Sequence, residues 1–202
     1  VKLLIDSDVL KDEFNGEATA SKLARVREQM EKEEAQYHII STLDDIAWIL
    51  NVRGNDIPHV PVVLSFLVIG KEDAMWFVEE NALSDAVKEM AAECGITIRP
   101  YEDVYAYAAT IPENSTVLLD KRKVNYRITN ALSETVHIVS KANPSQLMKA
   151  IKNEIELENT RKAHLLDGIA VTKFMYWLKK NVGKIPMDEV SVSDYLQSLR
   201  EQ

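Results

Sequence analysis

The sequence has little of what marks disulfide-rich, nucleic-acid-binding or membrane proteins. A single cysteine, Cys94, excludes an internal disulfide and is typical of a reducing compartment, so we expect a cytoplasmic protein. No run approaches the ~20 apolar residues that a membrane-spanning helix needs. The formal net charge is -8, whereas nucleic acids and anionic membranes bind basic surfaces. We therefore expect neither nucleic acid nor a membrane as a partner.

Short motifs of catalysis and cofactor binding are also absent. The chain has no G-x-G-x-x-G or G-x-x-x-x-G-K-[ST] phosphate loop, no G-x-S-x-G nucleophile motif, no H-E-x-x-H zinc helix and no C-x-x-C pair. Local sequence evidence therefore does not support a phosphate-loop, serine-nucleophile or zinc-helix enzyme.

Two acid–histidine pairs are spaced for a shared metal ion, Asp56 with His59 and His164 with Asp167. A catalytic metal centre generally needs three or more protein ligands, so each pair alone makes a poor site. The competing interpretation of Asp56 and His59 is a self-bonded turn. For His164 and Asp167 it is a polar edge or an interdomain hydrogen bond. We assign no metal ligand to this chain.

Hydrophobic periodicity predicts an α/β domain. Six strands are expected at Tyr37–Ser41, Val62–Gly70, Asp73–Glu79, Ile96–Arg99, Thr116–Asp120 and Thr135–Ser140. A short Gly-Lys-Glu turn between the second and third favours a hairpin. Helical segments separate the other strands, which predicts a six-stranded mixed sheet flanked by helices. Asn81 is expected to cap the helix after the hairpin, and Gly95 to end it in a left-handed conformation.

We divide the chain into three parts. Residues 1–16 have little periodicity and are predicted to be a linker from a preceding domain. Residues 17–142 form the α/β domain, and residues 143–202 show no strand signal and are predicted to be C-terminal helices. Asn153 and Glu156 have the spacing of a capping box that begins a long helix. The first residue is valine, so we expect a piece of a longer protein.

One stretch combines a buried helix with an irregular loop. It reads DDIAWILNVRGNDIPHVP, Asp44–Pro61. Thr42 is predicted to cap the helix, and Asp45, three residues later in the first turn, is predicted to interact with it in return. The prolines that follow remove amide donors and favour extended backbone, so the helix cannot continue. The loop therefore leads directly into the apolar strand at Val62–Gly70.

The loop carries four polar candidates, Arg53, Asn55, Asp56 and His59. Loops held at the end of a rigid strand often carry binding residues. Arg53 is the strongest candidate, because its planar guanidinium binds carboxylates or backbone carbonyls through parallel hydrogen bonds. The alternative is that Arg53 and Asp56 only brace the loop or an interdomain contact.

Two long motifs resemble the Xaa-Pro aminopeptidase (aminopeptidase P) family in its three-domain form. They are DDIAWILNVRGNDIPHVPVVLSFLVI, which begins at Asp44, and KAIKNEIELENTRKAHLLDGIA, Lys149–Ala170. The segment GEATASKLARVREQM, from Gly16, is similar to the start of that family's second domain. This domain is a creatinase/prolidase N-terminal type with a mixed six-stranded sheet. The KAIKNE stretch is similar to the start of the pita-bread metallopeptidase domain.

The resemblance implies a function for a larger parent protein. Family members hydrolyse the bond between an N-terminal residue and a following proline, using two divalent metal ions, usually manganese. Their ligands lie later in the pita-bread domain, so we assign no catalytic residue here and expect this chain alone to be inactive. The resemblance also implies a homo-oligomer and short peptides with proline in second position as substrates. In related enzymes the N-terminal domains wall the active-site entrance, which suggests that role for Arg53, Asn55, Asp56 and His59.

Two other functions stay open. Pita-bread relatives include proteins that have lost catalysis and bind other proteins, such as a histone-chaperone subunit, and the acidic balance is compatible with a basic partner. A prolidase or creatinase shares the architecture but acts on other substrates. The presence of the metal-ligand set in the parent distinguishes an enzyme from a binding module.

Overall fold

The computed structural model describes residues 8–9 and 12–201. The strands are β1 (Asp8–Val9), β2 (Tyr37–Ile40), β3 (Val52–Arg53), β4 (Ser65–Gly70), β5 (Ala74–Val78), β6 (Ile96–Arg99), β7 (Thr116–Leu119) and β8 (His137–Ser140). The α-helices are α1 (Asp12–Asn15), α2 (Thr19–Lys32), α3 (Leu43–Leu50), α4 (Asp85–Glu93), α5 (Asp103–Ala108), α6 (Tyr126–Ala131), α7 (Pro144–Ala150), α8 (Glu154–Asn181) and α9 (Glu189–Arg200).

Six strands form one mixed sheet in the order β6-β5-β4-β2-β7-β8. Strand β4 pairs antiparallel with β5 and with β2, and the β5–β6, β2–β7 and β7–β8 pairs are parallel. The predicted α/β class, the mixed six-stranded sheet and its hairpin are thus confirmed. The short strands β1 and β3 pair in a separate two-stranded sheet.

Strand β4 is buried at every position because helices cover both faces of the sheet. Leu67 and Ile69 belong to one apolar core with side chains from α2, α3 and α4. Phe66 and Val68 belong to a second core with side chains from α5 and α6. Successive residues of a strand point to opposite faces, so a strand between two helical layers is apolar throughout. This arrangement explains the continuous apolar run in the sequence.

The start of α4 differs from the prediction. Ser84 caps this helix, and its hydroxyl oxygen accepts a hydrogen bond from the Val87 amide. Asn81 instead lies within a short 3-10 helix, Glu80–Ala82, that precedes the cap. The prediction for Asn81 was wrong because this extra turn moves the helix start toward the C-terminus. Gly95 has the predicted left-handed conformation, with φ +67°.

Part of the predicted linker at residues 1–16 is folded. Strand β1 pairs with β3, and α1 is helical. A two-residue strand has no alternation that a sequence pattern can reveal, and the assignment of residues 1–16 to a linker from a preceding domain stays a prediction. Residues 1–7 and 10–11 lie outside the described residues.

The described residues form two compact units that divide after Lys152. The composition changes earlier, at Asn143. Helix α7 belongs with the α/β unit because it packs against α2 and α3, and Asn143 itself is buried. The packing of α7 therefore extends the first unit beyond the point at which strand signals end.

The second unit consists of α8 and α9. Helix α8 begins with the predicted capping box, in which the side chains of Asn153 and Glu156 each accept a hydrogen bond from the other's amide. The rings of Trp177 and Tyr195 stack with centroids 4.0 Å apart and join the two helices. Among the described residues no helix is both long and apolar enough to span a membrane. The assignment of this unit to a pita-bread domain stays a prediction.

The first turns of α2 hold the carboxyl end of α3. Lys22 is only 1% exposed, and its Nζ donates to the Trp48 carbonyl at 3.0 Å and to Asn51 Oδ1 at 2.5 Å. The hydroxyl of Thr19 donates to the Leu50 carbonyl at 3.0 Å. Carbonyls at a helix C-terminus lack partners within the helix, and a cation there also interacts favourably with the helix dipole. A buried lysine thus closes the end of α3.

Replacement of this buried ammonium tests its role. We expect Lys22→Met to lower the free energy of unfolding by about 3 kcal/mol, because it removes a donor from two buried oxygens and each unsatisfied group costs about 1–3 kcal/mol. Urea denaturation measures the loss. Lys32→Met, at an exposed position of the same helix, is the matched control and is expected to change stability by no more than about 0.5 kcal/mol. Equal losses in the two variants would contradict the assignment.

His38 is a buried titratable group in the middle of the sheet. It lies on β2 and is fully buried, and its Nδ1 lies 2.9 Å from the Leu118 carbonyl oxygen. Burial lowers the pKa of His38 from 6.5 to about 4, against smaller opposing effects of the Leu118 carbonyl and Asp45. The physical cause is the loss of hydration of the charged imidazolium.

We expect His38 to make stability pH-dependent. The unfolded chain binds a proton near pH 6.5 and the folded chain only near pH 4, so stability is complete above pH 6.5 and falls as the pH decreases. The loss at pH 4 corresponds to roughly 3 kcal/mol. In urea denaturation between about pH 7.5 and 5, His38→Gln should show a shallower decrease than the unmodified chain. His137→Gln, exposed on β8, should keep the original slope, and an unchanged slope in His38→Gln would exclude this group as the cause.

Candidate functional site

The candidate loop, residues 54–64, joins β3 to β4 and is fastened at both ends. A Cβ atom added at Gly54 would lie 2.5 Å from Val63 Cγ2, so only glycine permits this close approach of the two ends. The Asp56 carboxylate accepts a hydrogen bond from the Leu64 amide at 2.7 Å. The loop is therefore braced internally, by its own first and last residues.

The tip of the candidate loop is a defined turn. The Val60 amide donates to the Ile57 carbonyl at 3.1 Å. Between them, His59 has φ +65°, in the left-handed region that few residues other than glycine adopt. Such a conformation persists where the surrounding structure determines it. Its direct neighbour Pro58 contributes a fixed φ of its own.

Arg53 lies on β3 and braces the base of the candidate loop. Its Nη1 donates to the Ala47 carbonyl at 2.9 Å and to the Val52 carbonyl at 3.0 Å. The first of these carbonyls belongs to α3, so the side chain ties the loop base to that helix. This contact corresponds to the bracing interpretation of the sequence. Contact between Arg53 and a peptide stays a prediction.

The other three candidates lie on the surface. Asn55, Asp56 and His59 are exposed, and Val60 and Leu64 beside them are each 45% exposed. The candidate loop thus presents polar and apolar groups together on a fixed backbone. Such a surface is able to contact an extended peptide through hydrogen bonds and apolar packing. A role for these residues at an active-site entrance is not tested by this geometry and stays a prediction.

Neither acid–histidine pair belongs to a larger donor group. Within residues 8–9 and 12–201, no three His, Cys, Asp or Glu side chains are arranged to hold a metal ion. Asp167 Oδ1 accepts a hydrogen bond from Arg200 Nε at 2.7 Å, which joins α8 to α9. Asp56 is bonded within its own loop. The Asp56 contact therefore fits the interpretation of a self-bonded turn, whereas the Asp167 contact lies within the helical unit and is not an interdomain hydrogen bond.

A polar network at the start of α3 was only partly visible in the sequence. Asp45 is 1% exposed, and its carboxylate accepts hydrogen bonds from Thr42 Oγ1 at 2.5 Å, Lys149 Nζ at 2.9 Å and Asn143 Nδ2 at 3.2 Å. Thr42 holds the predicted N-cap position, but the predicted cap was wrong in its bonding, because the Thr42 side chain accepts no hydrogen bond from the helix and its hydroxyl instead donates to Asp45. Spacing gave no signal for Asn143 and Lys149, which come from 98 and 104 positions further along the chain.

Asp44 and Lys149 complete this network. Burial acts to raise the pKa of Asp44, but the hydrogen bond and charge of Lys149 hold it below its usual range. Burial acts to lower the pKa of Lys149, but the two carboxylates of Asp44 and Asp45 raise it. Both groups are thus stabilised in their charged forms.

A groove of about 480 Å³ lies beside this network, between α2 and the segment 141–151. Its walls combine charged side chains with exposed apolar ones. Arg25 and Glu28 come from α2, Leu147 comes from α7, and Lys141 and Ile151 flank α7. None of the four predicted site residues lines it. The candidate loop and the groove are therefore separate features of the α/β unit.

Comparison with known proteins identifies the fold and its relatives. A model of the Creatinase/Prolidase N-terminal domain matches residues 6–156. The probable Xaa-Pro aminopeptidase P of Neurospora crassa is 35% identical over 205 residues, which cover 96% of this chain and 30% of that protein. Xaa-Pro aminopeptidase 1 of Dictyostelium discoideum is 34% identical over 197 residues, which cover 96% and 31%. The chain thus spans about a third of the length of these relatives.

Solved structures agree with this assignment. The X-prolyl aminopeptidase of Caenorhabditis elegans, described as a cytosolic enzyme with a di-nuclear active site, matches with a TM-score of 0.88 at 26% identity, over 100% of this chain and 34% of that protein. The prolidase of Pyrococcus horikoshii matches in fold with a TM-score of 0.60 at 18% identity, over 89% of this chain and 48% of that protein. The chain belongs to the creatinase/prolidase N-terminal domain family and, as its motifs predicted, is similar over nearly its whole length to Xaa-Pro aminopeptidases.

Proposed function

We propose that this chain is a non-catalytic portion of a metal-dependent Xaa-Pro aminopeptidase. The observation that carries the proposal is the similarity, over 96% of the chain, to two proteins named as Xaa-Pro aminopeptidases. The chain corresponds to about a third of such a protein. In the proposed parent it supplies an α/β domain and the helices that follow, and the remaining sequence supplies the reactive centre.

The metal ions of the parent are proposed to lie outside this chain. The residues described here do not fit a dinuclear centre, since no three His, Cys, Asp or Glu side chains among them form a donor group. When bound in the parent, two divalent ions, with manganese as the proposed metal, supply a Lewis acid and an activated water. We assign no catalytic step to the residues of this chain.

The proposed task of the candidate loop is to shape the entrance to the active site. Asn55 and His59 are exposed and offer hydrogen-bonding groups to a peptide backbone. Arg53 and Asp56 hold the loop through their backbone contacts. A braced loop loses little conformational freedom when a peptide binds, so it selects by shape at low entropic cost. The proposed substrates are short peptides with proline in second position.

The proposal extends to the setting of the parent. We propose a homo-oligomer in the cytoplasm, without nucleic acid or a membrane as partner. The net charge of -8 and the description of the similar nematode protein as cytosolic support this setting. The oligomer would place the α/β domain where it forms part of an entrance wall.

The division between this chain and the reactive centre is directly testable. We expect the 202-residue chain to release no N-terminal residue from a short Xaa-Pro peptide with added manganese, while the parent protein does so. The matched control is the same peptide with alanine in place of proline, which the parent should cleave at least about tenfold more slowly. Turnover by the chain at the parent's rate would refute the proposal that the reactive centre lies outside this chain. A parent that does not cleave the proline peptide would refute the aminopeptidase proposal.

The entrance role predicts different effects for bracing and exposed residues. In the parent, Arg53→Ala should lower kcat/KM and also reduce the free energy of unfolding by about 1–3 kcal/mol, because buried carbonyls lose a donor. Asn55→Ala should lower kcat/KM about fivefold with stability changed by less than about 0.5 kcal/mol. Steady-state kinetics and urea denaturation measure both quantities.

The control for these loop variants is Asn130→Ala, an exposed asparagine on α6 outside the loop. It should leave kcat/KM and stability unchanged. If Asn55→Ala behaves like this control, and Arg53→Ala loses activity only in proportion to its loss of folded protein, the loop does not act on substrate.

A further inference from the structure

Five residues form a network that we call the latch: Thr42, Asp44, Asp45, Asn143 and Lys149. Lys149 Nζ bridges the two neighbouring carboxylates, with its nitrogen 2.9 Å from Asp45 Oδ1 and in contact with Asp44 Oδ2. Asn143 Nδ2 donates to Thr42 Oγ1 at 2.9 Å as well as to Asp45. The latch thus fastens both ends of the segment 143–149 to the first turn of α3.

The burial of Asp45 makes the latch hard to open. Its carboxylate has almost no contact with solvent, and both of its oxygens accept hydrogen bonds from latch residues. A buried charge that loses its partner is strongly destabilising, because neither water nor another donor replaces it. Detachment of α7 from α3 would remove the Lys149 ammonium and the Asn143 amide, and Asp45 would keep only the Thr42 hydroxyl. The latch therefore holds one arrangement of α7 on α3.

The opposite end of α3 carries the candidate loop. Arg53 at the loop base donates to the Ala47 carbonyl, and Lys22 donates to the Trp48 carbonyl one residue later. Helix α3 has only eight residues, about 12 Å at the helical rise of 1.5 Å per residue, and six of the eight are buried. A short, buried helix held at both ends moves as one body, so a contact at one end constrains the other.

We propose that the latch is a positioning device that fixes the candidate loop through α3. Lys149 and Asp45 are its positioning residues. They fix α3, and the hydrogen bond from Arg53 to α3 in turn fixes the base of the loop. The consequence of the latch for peptide selection rests on the proposed function. Its effect on the order of the loop does not, so the two are separable by experiment.

Hydrogen exchange on the chain itself tests the coupling. Lys149→Met should raise the exchange rates of the α7 amides and, at least about fivefold, those of the Val60 and Leu64 amides, which are hydrogen-bonded within the loop. Lys141→Met is the matched control, because Lys141 lies just before α7 but forms an exposed pair with Glu33. It should change the loop rates less than about twofold.

Faster exchange in α7 with unchanged loop rates would overturn the proposal, since the latch would then act only locally. If Lys149→Met does not fold, Asp45→Asn takes its place. That variant keeps an oxygen acceptor for Lys149 while removing the buried charge, and the same increase in the loop rates is expected. An Asp45→Asn chain with unmodified loop rates would equally overturn the proposal.

Kinetics of the parent test the consequence for substrate binding. Lys149→Met should raise KM for short Xaa-Pro peptides about tenfold and leave kcat within about twofold, whereas a loss of folded enzyme lowers kcat at constant KM. Lys149→Arg, which retains the charge, should recover most of the lost affinity. A lowered kcat with unchanged KM would contradict the positioning role. An unmodified parent without activity would refute the proposed function. The latch would then be tested by the hydrogen-exchange experiment alone.

Discussion

The burial of α3 is the constraint on which the rest of the α/β unit depends. A helix of eight residues satisfies few of its own backbone groups, because its first N–H and last C=O groups have no partner within the helix. Six of its residues are buried, so these groups must find partners in the protein rather than in water. At the carboxyl end the partners are Thr19, Lys22 and Arg53. At the amino end the side chain of Asp45 binds Lys149, which lies on α7.

This constraint explains why the interior contains charged groups beside an apolar core. Charged side chains are almost never fully buried unless they are paired and hydrogen-bonded. Lys22 meets a helix C-terminus, where the dipole is negative, and also lies 4.5 Å from the ring centroid of Trp48. Asp45 meets an ammonium group and two neutral donors. Each charge is thus matched to its site, and together they fix α3 between the sheet and the outer helices.

Sequence patterns predicted the elements better than their contacts. The apolar run at Val62–Gly70 predicted a buried strand because both faces of the sheet are covered, and composition located the candidate loop because glycine and proline exclude regular structure there. Lys22, by contrast, is a charged residue type typical of a surface, although it lies four positions before Val26 on the buried face of α2, and its partner Trp48 is 26 positions away. Local spacing has no information on such pairs. The bracing of the loop by Gly54 was hidden for the same reason, since it depends on the position of Val63.

The same bracing bears on what the candidate loop can contribute to the proposed peptidase. A flexible loop that closes on a peptide loses about 0.5–1.5 kcal/mol for each side chain that it immobilises, and this loss offsets part of the binding energy. A loop already fixed by Asp56 and by the left-handed turn at His59 avoids most of it. The discrimination between peptides then depends on the position of the loop, because a rigid loop cannot adjust to a displaced substrate. Position is what the contacts at the two ends of α3 determine, so the stability of this short helix and the selectivity proposed for the loop have a common physical origin.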